Sequence, residues 1–376
     1  MRYTRPAAGK WFAFLAIGGL IVSSCTATSQ TPPTPSANTA ATSTEPTPYL
    51  VETPFPTIGR TPVATATGKP SSHQDVSGKF ITVSNVEDNT DIFLIDAVCA
   101  KQLDGCSANW IRLTDTPRAE PIDFRDLSVS PDGKQLVFAY QNDDEAAMPN
   151  WGIYTLTIEQ CMANPCKSES FVRLTSSPKD EFAPAWSPKG TLIAFASTQG
   201  DEYQASSIYL MAPDGSNQQL LIEQSGFQET VSLGCPSWSP DGTQLLLCVT
   251  SLDQQRAKTV FFVYSLAEQT IEPFLDEPAD LGEPVNDQHP QWSADGHIIF
   301  DTNRFRSVDV ANALIGASDV SRLGDGDSPC WSPDGKKIIY IRSGSAGRQL
   351  YLMNSDGSDS IRLTRGRHVD SVVWTP

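Results

Sequence analysis

The chain has 376 residues, enough for more than one ordinary domain, and carries a net charge of −17 at pH 7. Such an acidic chain repels nucleic acids and anionic lipid headgroups. The sequence contains no basic patch with interleaved aromatic residues. These features exclude a nucleic-acid-binding function.

Residues 1–24 have the pattern of a targeting segment. Arg2, Arg5 and Lys10 form a basic start, and residues 11–22 form an apolar stretch too short for a good transmembrane span. The following Val-Ser-Ser-Cys at 22–25 resembles the bacterial lipobox, which implies that Cys25 is lipidated and becomes the mature N-terminus. An ordinary secretory signal with a chance cysteine is the alternative.

Lipidation at Cys25 predicts an exported protein anchored to the cell membrane, or to the outer membrane if the host has one. Removal of the three basic residues with the signal changes the net charge from −17 to −20. Residues 25–74 then form a linker, in which positions 26–74 hold 13 Thr and 9 Pro. This composition predicts a disordered tether, because it offers little apolar surface to bury.

The rest of the chain, 75–376, is an internal repeat. An apolar strand leads into Ser-Pro-Asp-Gly or a close variant, and a second apolar strand follows. Pro and Gly set the backbone angles of a tight turn, so each copy predicts a β-hairpin. The residues that precede the turn, together with the C-terminal copy, lie 39 to 57 residues apart and are Val129, Trp186, Trp238, Trp292, Trp331 and Trp374.

Each hairpin, strands A and B, is followed by a second pair, strands C and D, which predicts four antiparallel strands per repeat. This period and strand count are typical of β-propeller blades. Residues 77–84 read as a strand B without its strand A, and residues 370–376 supply the missing strand. The prediction is an all-β, six-bladed propeller closed by the C-terminal strand, which removes free sheet edges.

The Trp-Ser-Pro-Asp-Gly units and the Arg-Leu-Thr units that begin at Arg112, Arg173 and Arg362 resemble the TolB-type propeller repeat over residues 76–376. The resemblance implies the six-bladed fold. TolB carries an α/β domain ahead of its propeller and no lipid anchor, so this chain differs where its linker lies. That difference argues against a role in the Tol envelope system.

The repeated Trp residues have two interpretations, ligand stacking or packing between blades. A large aromatic residue at one fixed repeat position favours packing.

The cysteines predict a disulfide framework, because an exported chain lies in an oxidising compartment. Cys99–Cys106 and Cys161–Cys166 occupy equivalent turns of successive repeats, and Cys235 lies close to Cys248 when both are counted from their shared turn. Cys330 is left unpaired and is predicted to be buried. No CxxC pair is present, which argues against a cysteine metal site.

The candidate binding face is the side of the propeller that carries the B–C and D–A loops. Acidic residues precede strand A in several repeats and predict a negatively charged rim around the channel, suited to a basic partner. Solvated turn carboxylates are the alternative for each. The candidate residues are Asp123, Asp126, Asp180, Glu181, Asp287, Asp327, Asp370, His289, His368, Asp143, Asp144, Glu145 and Trp151.

We expect a monomeric binding module for a protein or peptide, with no catalytic residue, metal or cofactor. No Gly-x-Ser-x-Gly nucleophile motif occurs. Of the four His, only His289 and His368 are placed near the channel mouth. The alternatives are a propeller hydrolase or lyase with a channel-mouth metal, and a carbohydrate-binding or polysaccharide-processing propeller that uses Tyr203, Phe227 and Phe305.

Overall fold

A computed structural model gives the fold of the propeller. It describes residues 77–86, 89–101, 106, 110–116, 124–141, 150–199, 205–227, 231–253, 256–278, 281–316, 319–345 and 347–376. The predicted signal segment, Cys25 and the linker lie outside these residues. No helix in the described part of the chain is long and apolar enough to cross a membrane.

The first half of the propeller contains eleven strands and one short α-helix, α1 (Ile158–Ala163). The strands are β1 (Lys79–Val86), β2 (Asn89–Asp96), β3 (Trp110–Arg112), β4 (Phe124–Val129), β5 (Gln135–Gln141), β6 (Trp151–Thr157), β7 (Val172–Arg173), β8 (Glu181–Trp186), β9 (Ile193–Ser197), β10 (Ser207–Met211) and β11 (Gln219–Ile222). Short 3-10 helices cover Ala97–Lys101, Ser168–Ser170 and Gln224–Gly226.

The described residues of the second half continue with strands. They are β12 (Ser232–Trp238), β13 (Gln244–Asp253), β14 (Arg256–Ser265), β15 (Thr270–Pro273), β16 (Asp287–Trp292), β17 (His297–Thr302), β18 (Asp309–Leu314), β19 (Val320–Asp325), β20 (Asp327–Trp331), β21 (Lys337–Gly344), β22 (Gly347–Asn354), β23 (Ile361–Arg362) and β24 (His368–Thr375).

These strands form six antiparallel sheets of four strands, which confirms the predicted fold. Blade 1 has the order β24-β1-β2-β3, and blades 2 to 6 follow as β4–β7, β8–β11, β12–β15, β16–β19 and β20–β23. The inner strands β24, β4, β8, β12, β16 and β20 each contact the next around the ring. They therefore surround a closed central channel.

The Ser-Pro-Asp-Gly turn joins strands A and B through side-chain hydrogen bonds. In blade 2, the Ser130 hydroxyl donates to Asp132 Oδ1 at 2.6 Å and accepts the Gln135 amide at 2.9 Å. Gly133 takes the positive φ of 71° that the turn requires. The Ser130 hydrogen bond lowers the pKa of Asp132, so the turn is held by an ionised carboxylate.

The Arg-Leu-Thr units hold the outer strand on strand C. Each Thr hydroxyl accepts a backbone amide of strand C. The pairs are Thr114 with Ile92 at 2.9 Å, Thr175 with Ile153 at 3.0 Å, and Thr364 with Leu350 at 2.9 Å. The motif therefore replaces ladder hydrogen bonds where the outer strand ends.

The C-terminal strand closes the ring as the sequence predicts. β24 pairs with β1, with Phe80 opposite Trp374 and Lys79 opposite Thr375. The Thr82 hydroxyl adds a hydrogen bond of 2.7 Å to the carbonyl oxygen of Ser371. Residues from the two ends of the propeller thus complete one sheet.

The repeated Trp residues pack between blades, which confirms the packing interpretation. Trp186 lies against Val137 and Ala139 of the preceding blade. Trp374 lies in one cluster with Ile339 of blade 6 and Phe80 of blade 1. Each interface between blades thus buries apolar surface contributed by both neighbours.

A side-chain acceptor on one inner strand also binds the Trp backbone amide of the next blade. Ser128 Oγ accepts the amide of Trp186, and Gln291 Oε1 accepts that of Trp331, both at 3.1 Å. In blade 6 the acceptor is the sulfur of Cys330, which receives the Trp374 amide at 3.1 Å. The buried free thiol of Cys330 therefore stabilises β24, the strand that closes the ring, by a hydrogen bond.

The predicted disulfides are all present. Cys99–Cys106 and Cys161–Cys166 lie between strands C and D of blades 1 and 2, with Cα atoms 4.8 and 5.0 Å apart. The third bridge joins Cys235 on β12 to Cys248 on β13 across a Cα distance of 5.4 Å. Cys330 is free and buried, also as predicted.

We expect Cys330→Ala to lower the free energy of unfolding by about 1–3 kcal/mol, because it leaves the buried Trp374 amide without an acceptor. Cys330→Ser should keep most of this stability, since a hydroxyl accepts the same amide, as Ser128 does for Trp186. Urea denaturation of the oxidised proteins measures both changes. Equal losses for the two variants would show that the hydrogen bond is unimportant.

Candidate binding face at the channel mouth

The inner strands share a β-bulge that turns one residue out of the ladder toward the channel. In blade 5, His289 and Pro290 together lie opposite Phe300, because the register shifts between Gln288 and Gln291. The equivalent bulge residues have positive φ, at Asp126 (56°), Ala183 (51°), Cys235 (36°), His289 (50°) and Ser328 (51°). A bulge redirects a side chain, so it creates a ring of non-ladder residues at one level of the channel.

Blade 1 has its register shift one residue farther from the Trp, at Asp370. Proline follows the bulge residue in four blades, at Pro184, Pro236, Pro290 and Pro329. Proline is tolerated here because the bulge frees its position from donating a ladder hydrogen bond.

His289 and Asp301 form the most closely coupled pair at this level. His289 Nδ1 lies 2.6 Å from Asp301 Oδ1, and the same oxygen accepts the Ser328 amide of blade 6 at 3.1 Å. The His289 side chain is 49% exposed, although protein surrounds it. The pair thus links two blades and leaves the imidazole ring open to the channel.

Burial alone would lower the pKa of His289, but the carboxylates of Asp301, Asp327 and Asp126 outweigh it and raise the pKa to about 9. Asp126 belongs to blade 2, on the opposite wall of the ring. The Asp126 carboxylate thus contributes to the raised pKa of His289 from the other side of the channel. His289 is therefore an imidazolium at neutral pH.

Arg348 joins the acidic residues of blades 6 and 1. Its guanidinium donates to both carboxylate oxygens of Asp327, at 2.6 and 3.0 Å, and its Nε lies 3.7 Å from Asp370. His368 Nε2 lies 3.0 Å from Asp370 Oδ1. These contacts extend the network of His289 and Asp301 to a third blade.

On the other side of the mouth, Asp126 Oδ2 accepts the Ala183 amide of blade 3 at 3.0 Å and lies 3.5 Å from Arg125 Nε. The Arg125 guanidinium stands 3.8 Å above the ring of Trp151. Asp180 Oδ1 accepts the Trp151 amide at 3.0 Å. Trp151 is thus fixed beside the channel by a cation–π contact and a loop carboxylate.

Two of the predicted acidic residues are buried and do not reach the mouth surface. Asp287 is fully buried against Arg304, whose guanidinium makes bonds of 2.6 to 3.1 Å to both its carboxylate oxygens. Glu181 starts strand A of blade 3, as Asp287 does in blade 5. Ser197 pairs with Glu181 as Thr302 pairs with Asp287. Gln199, two residues after Ser197, therefore lies at the position equivalent to Arg304.

Neither carboxyl oxygen of Glu181 has a hydrogen-bond partner in the described part of the chain. Burial raises the pKa of Glu181 to about 7, and the nearby Thr175 hydroxyl and Arg173 charge offset this only in part. Near neutral pH, the Glu181 carboxyl is therefore partly protonated and partly ionised.

The structure brings five predicted residues together at the mouth, namely Asp126, His289, Asp327, His368 and Asp370. These residues lie within the inner strands, whereas the sequence placed the acidic ones in the D–A loops. Asp180 and Trp151 lie beside them. Asp123, Asp143, Asp144, Glu145 and Tyr203 lie outside the described residues.

Sequence reasoning missed Asp301, Arg348 and Arg125. Asp301 had a signal, since it is an acidic residue in the apolar strand B of blade 5. Of the aromatic residues considered for carbohydrate, Phe227 packs against Phe262 and Phe305 lies beside the blade 4–blade 5 core, and both stay partly exposed. Within the described ranges, no group of three His, Cys, Asp or Glu residues could hold a metal ion.

Comparison with known proteins gives partial sequence matches. No protein-family model matches the chain. A 174-residue segment, 45% of this chain, is 28% identical to 36% of the Tol-Pal system protein TolB of Bordetella pertussis. A 179-residue segment, 46% of this chain, is 26% identical to 23% of the uncharacterized peptidase YuxL of Bacillus subtilis. The chain thus spans less than half of either relative.

The structural matches extend over most of the propeller. TolB from Acinetobacter baumannii superposes with a TM-score of 0.59 at 16% identity, over 80% of this chain and 67% of that one. The fold is a TolB-like six-bladed propeller. A putative TolB from Agrobacterium tumefaciens gives 0.52 at 17% identity, over 80% of this chain and 99% of the other.

We expect Glu181→Gln to raise the free energy of unfolding by up to about 3 kcal/mol near pH 8 and to change it little near pH 5. The pKa of Glu181 in the folded protein, about 7, lies above the ordinary value of 4.5. The wild-type protein therefore loses stability as the pH rises from 4.5 through 7. Urea denaturation at the two pH values measures the difference.

Asp287→Asn is the matched control at the equivalent position. It should lower the free energy of unfolding by about 3–5 kcal/mol at pH 8, the opposite sign to Glu181→Gln, because Arg304 stays buried without its charge partner. A pH-independent effect of Glu181→Gln would contradict the assignment of the buried acid.

Proposed function

We propose that the protein is an exported, lipid-anchored propeller that binds a protein or peptide at the mouth formed by the D–A and B–C loops. The observation that supports this most is the ionisable network around the channel, from His289 and Asp301 through Asp327 and Arg348 to Asp370. Its members are held by the fold while His289, Asp126 and Asp370 keep part of their side chains exposed.

The charge of the mouth favours a basic partner. Four carboxylates, those of Asp126, Asp301, Asp327 and Asp370, face the cations of Arg125, Arg348 and the protonated His289. The remaining negative charge adds to a chain whose net charge is −17. Such a surface attracts basic segments over distance and orients them at a defined face.

The state of His289 argues against a role as a general base. A general base must be able to accept a proton near the working pH. With a pKa of about 9 and Nδ1 beside Asp301, the ring is already protonated at neutral pH. Similarity to a Tol-Pal system protein agrees with a role in association with other proteins.

Crosslinking on intact cells, followed by mass spectrometry, should recover one partner with crosslinks near the channel mouth. The variant Asp126→Asn/Asp370→Asn keeps the side-chain shapes and removes two charges, so we expect recovery to fall at least about threefold. Asp132→Asn/Asp241→Asn, in the A–B turns, is the matched control and should leave recovery unchanged. Equal effects of the two variants, or crosslinks confined to the A–B turns, would refute the proposed face.

Cys25→Ser tests the anchor. Two or more acyl chains hold a protein stably on a membrane, because each buried methylene contributes about 0.8 kcal/mol. We expect the variant to leave the membrane fraction and to lack the lipid mass on its N-terminal peptide. A variant that stays in the membrane fraction after a high-salt wash would show a different mode of attachment.

A further inference from the structure

The disulfide Cys235–Cys248 lies at the level of the mouth network. Cys235 is the bulge residue of β12 in blade 4, and Cys248 pairs with the residue before it, Gly234. In blade 5 the same two positions hold His289 and Asp301, since Asp301 pairs with Gln288. Blade 4 therefore links its bulge residue to strand B by a covalent bond, whereas blade 5 does so by an ion pair.

Cys235 is the most accessible of the seven described cysteines. It is partly exposed and lies on an innermost strand, whereas the other six are buried. The other bridges are buried, with exposures of 2% and 0% for Cys99 and Cys106 and of 0% and 9% for Cys161 and Cys166. A thiol that enters the channel can therefore approach this bridge without unfolding of a blade.

The bridge lies at a backbone conformation that non-glycine residues rarely adopt, although the bulge residues of four other blades adopt it without a bridge. Cys235 has a φ of 36°, in the left-handed region. The ladder between β12 and β13 is interrupted there, between Gly234 and Ser237. The covalent link thus replaces missing ladder hydrogen bonds at this point of the channel wall.

We propose that Cys235–Cys248 is a thiol–disulfide exchange site that opens to the channel and takes small dithiols. A thiolate of the dithiol attacks Cys235 Sγ, forms a mixed disulfide and releases Cys248, which takes up a proton. The second thiol of the dithiol then loses its proton and attacks the sulfur that the dithiol contributes to the mixed disulfide. This releases Cys235, which takes up a proton. Two electrons pass to the bridge, and the dithiol leaves as a cyclic disulfide.

The surroundings of Cys248 favour this direction of attack. Once reduced, its buried thiol has the Asp287 carbonyl oxygen of blade 5 as an acceptor, 3.9 Å from Sγ. The long β13–β14 ladder, paired from Gln244–Ser265 to Asp253–Arg256, does not depend on the bridge. Reduction therefore loosens the wall of blade 4 beside His289 and leaves the ring closed.

Dithiothreitol treatment of the oxidised native protein tests the proposal. Samples are quenched with iodoacetamide over time, and peptide mass spectrometry follows each cysteine. We expect Cys235 and Cys248 to become alkylated at least about tenfold faster than the four cysteines of the other bridges. Reduction of all three bridges at one rate, or of Cys235–Cys248 last, would overturn the proposal.

Cys330 serves as an internal control, since its thiol is buried under the strand that closes the ring. It should stay unmodified while Cys235 reacts; alkylation of Cys330 at the same rate would assign the reaction to global unfolding. Low urea concentrations should leave the Cys235 rate unchanged, because a local route exposes no new surface. In the variant Cys161→Ser/Cys166→Ser, Cys235 and Cys248 should still react fast. Loss of the fast reaction in this variant would contradict the proposal.

Discussion

The pairing of β24 with β1 is the contact on which the rest of the molecule depends. Thr82 and Ser371, joined by a hydrogen bond, lie 289 residues apart in the chain. Bringing them together costs loop-closure entropy, which the other contacts of the closing strand must offset. The Trp374 side chain fills the core between blades 6 and 1, and Cys330 accepts its amide. Only after this closure do the inner strands enclose a channel.

Closure also explains why the inner strands carry the chemistry. The bulge breaks the A–B ladder at the same level of blades 2 to 6, so side chains there must supply the contacts that the backbone lacks. Blade 2 uses Asp126 to bind the next blade, blade 4 uses a disulfide, and blade 5 uses His289 with Asp301. The backbone repeats around the ring, whereas the side chains at this level differ. This difference gives the mouth its distinct sides.

The carboxylates of this acidic chain therefore have different roles. Asp287 with Arg304, and Asp91 with Arg112, are parts of the packed blades. Asp126 and Asp370 remain partly exposed and belong to the mouth. Burial decides between the two, because a carboxylate removed from water needs a charge partner to stay ionised, whereas one at the mouth keeps its solvation. The mouth network and the Cys235–Cys248 bridge lie in adjacent blades.

The sequence by itself determined the strands, the turns, the blade count, the ring closure and the disulfides Cys99–Cys106 and Cys161–Cys166, whereas it left open whether Cys235 and Cys248 are bridged. These features follow from local turn chemistry, alternation and repeat spacing, which are properties of short segments. Only the tertiary structure decided that Glu181 is buried with no hydrogen-bond partner among the described residues, that Arg348 binds Asp327 and that Asp301 reaches Ser328 of the next blade. Burial and partners depend on residues brought together by the closed ring, and no short segment of the chain contains that information.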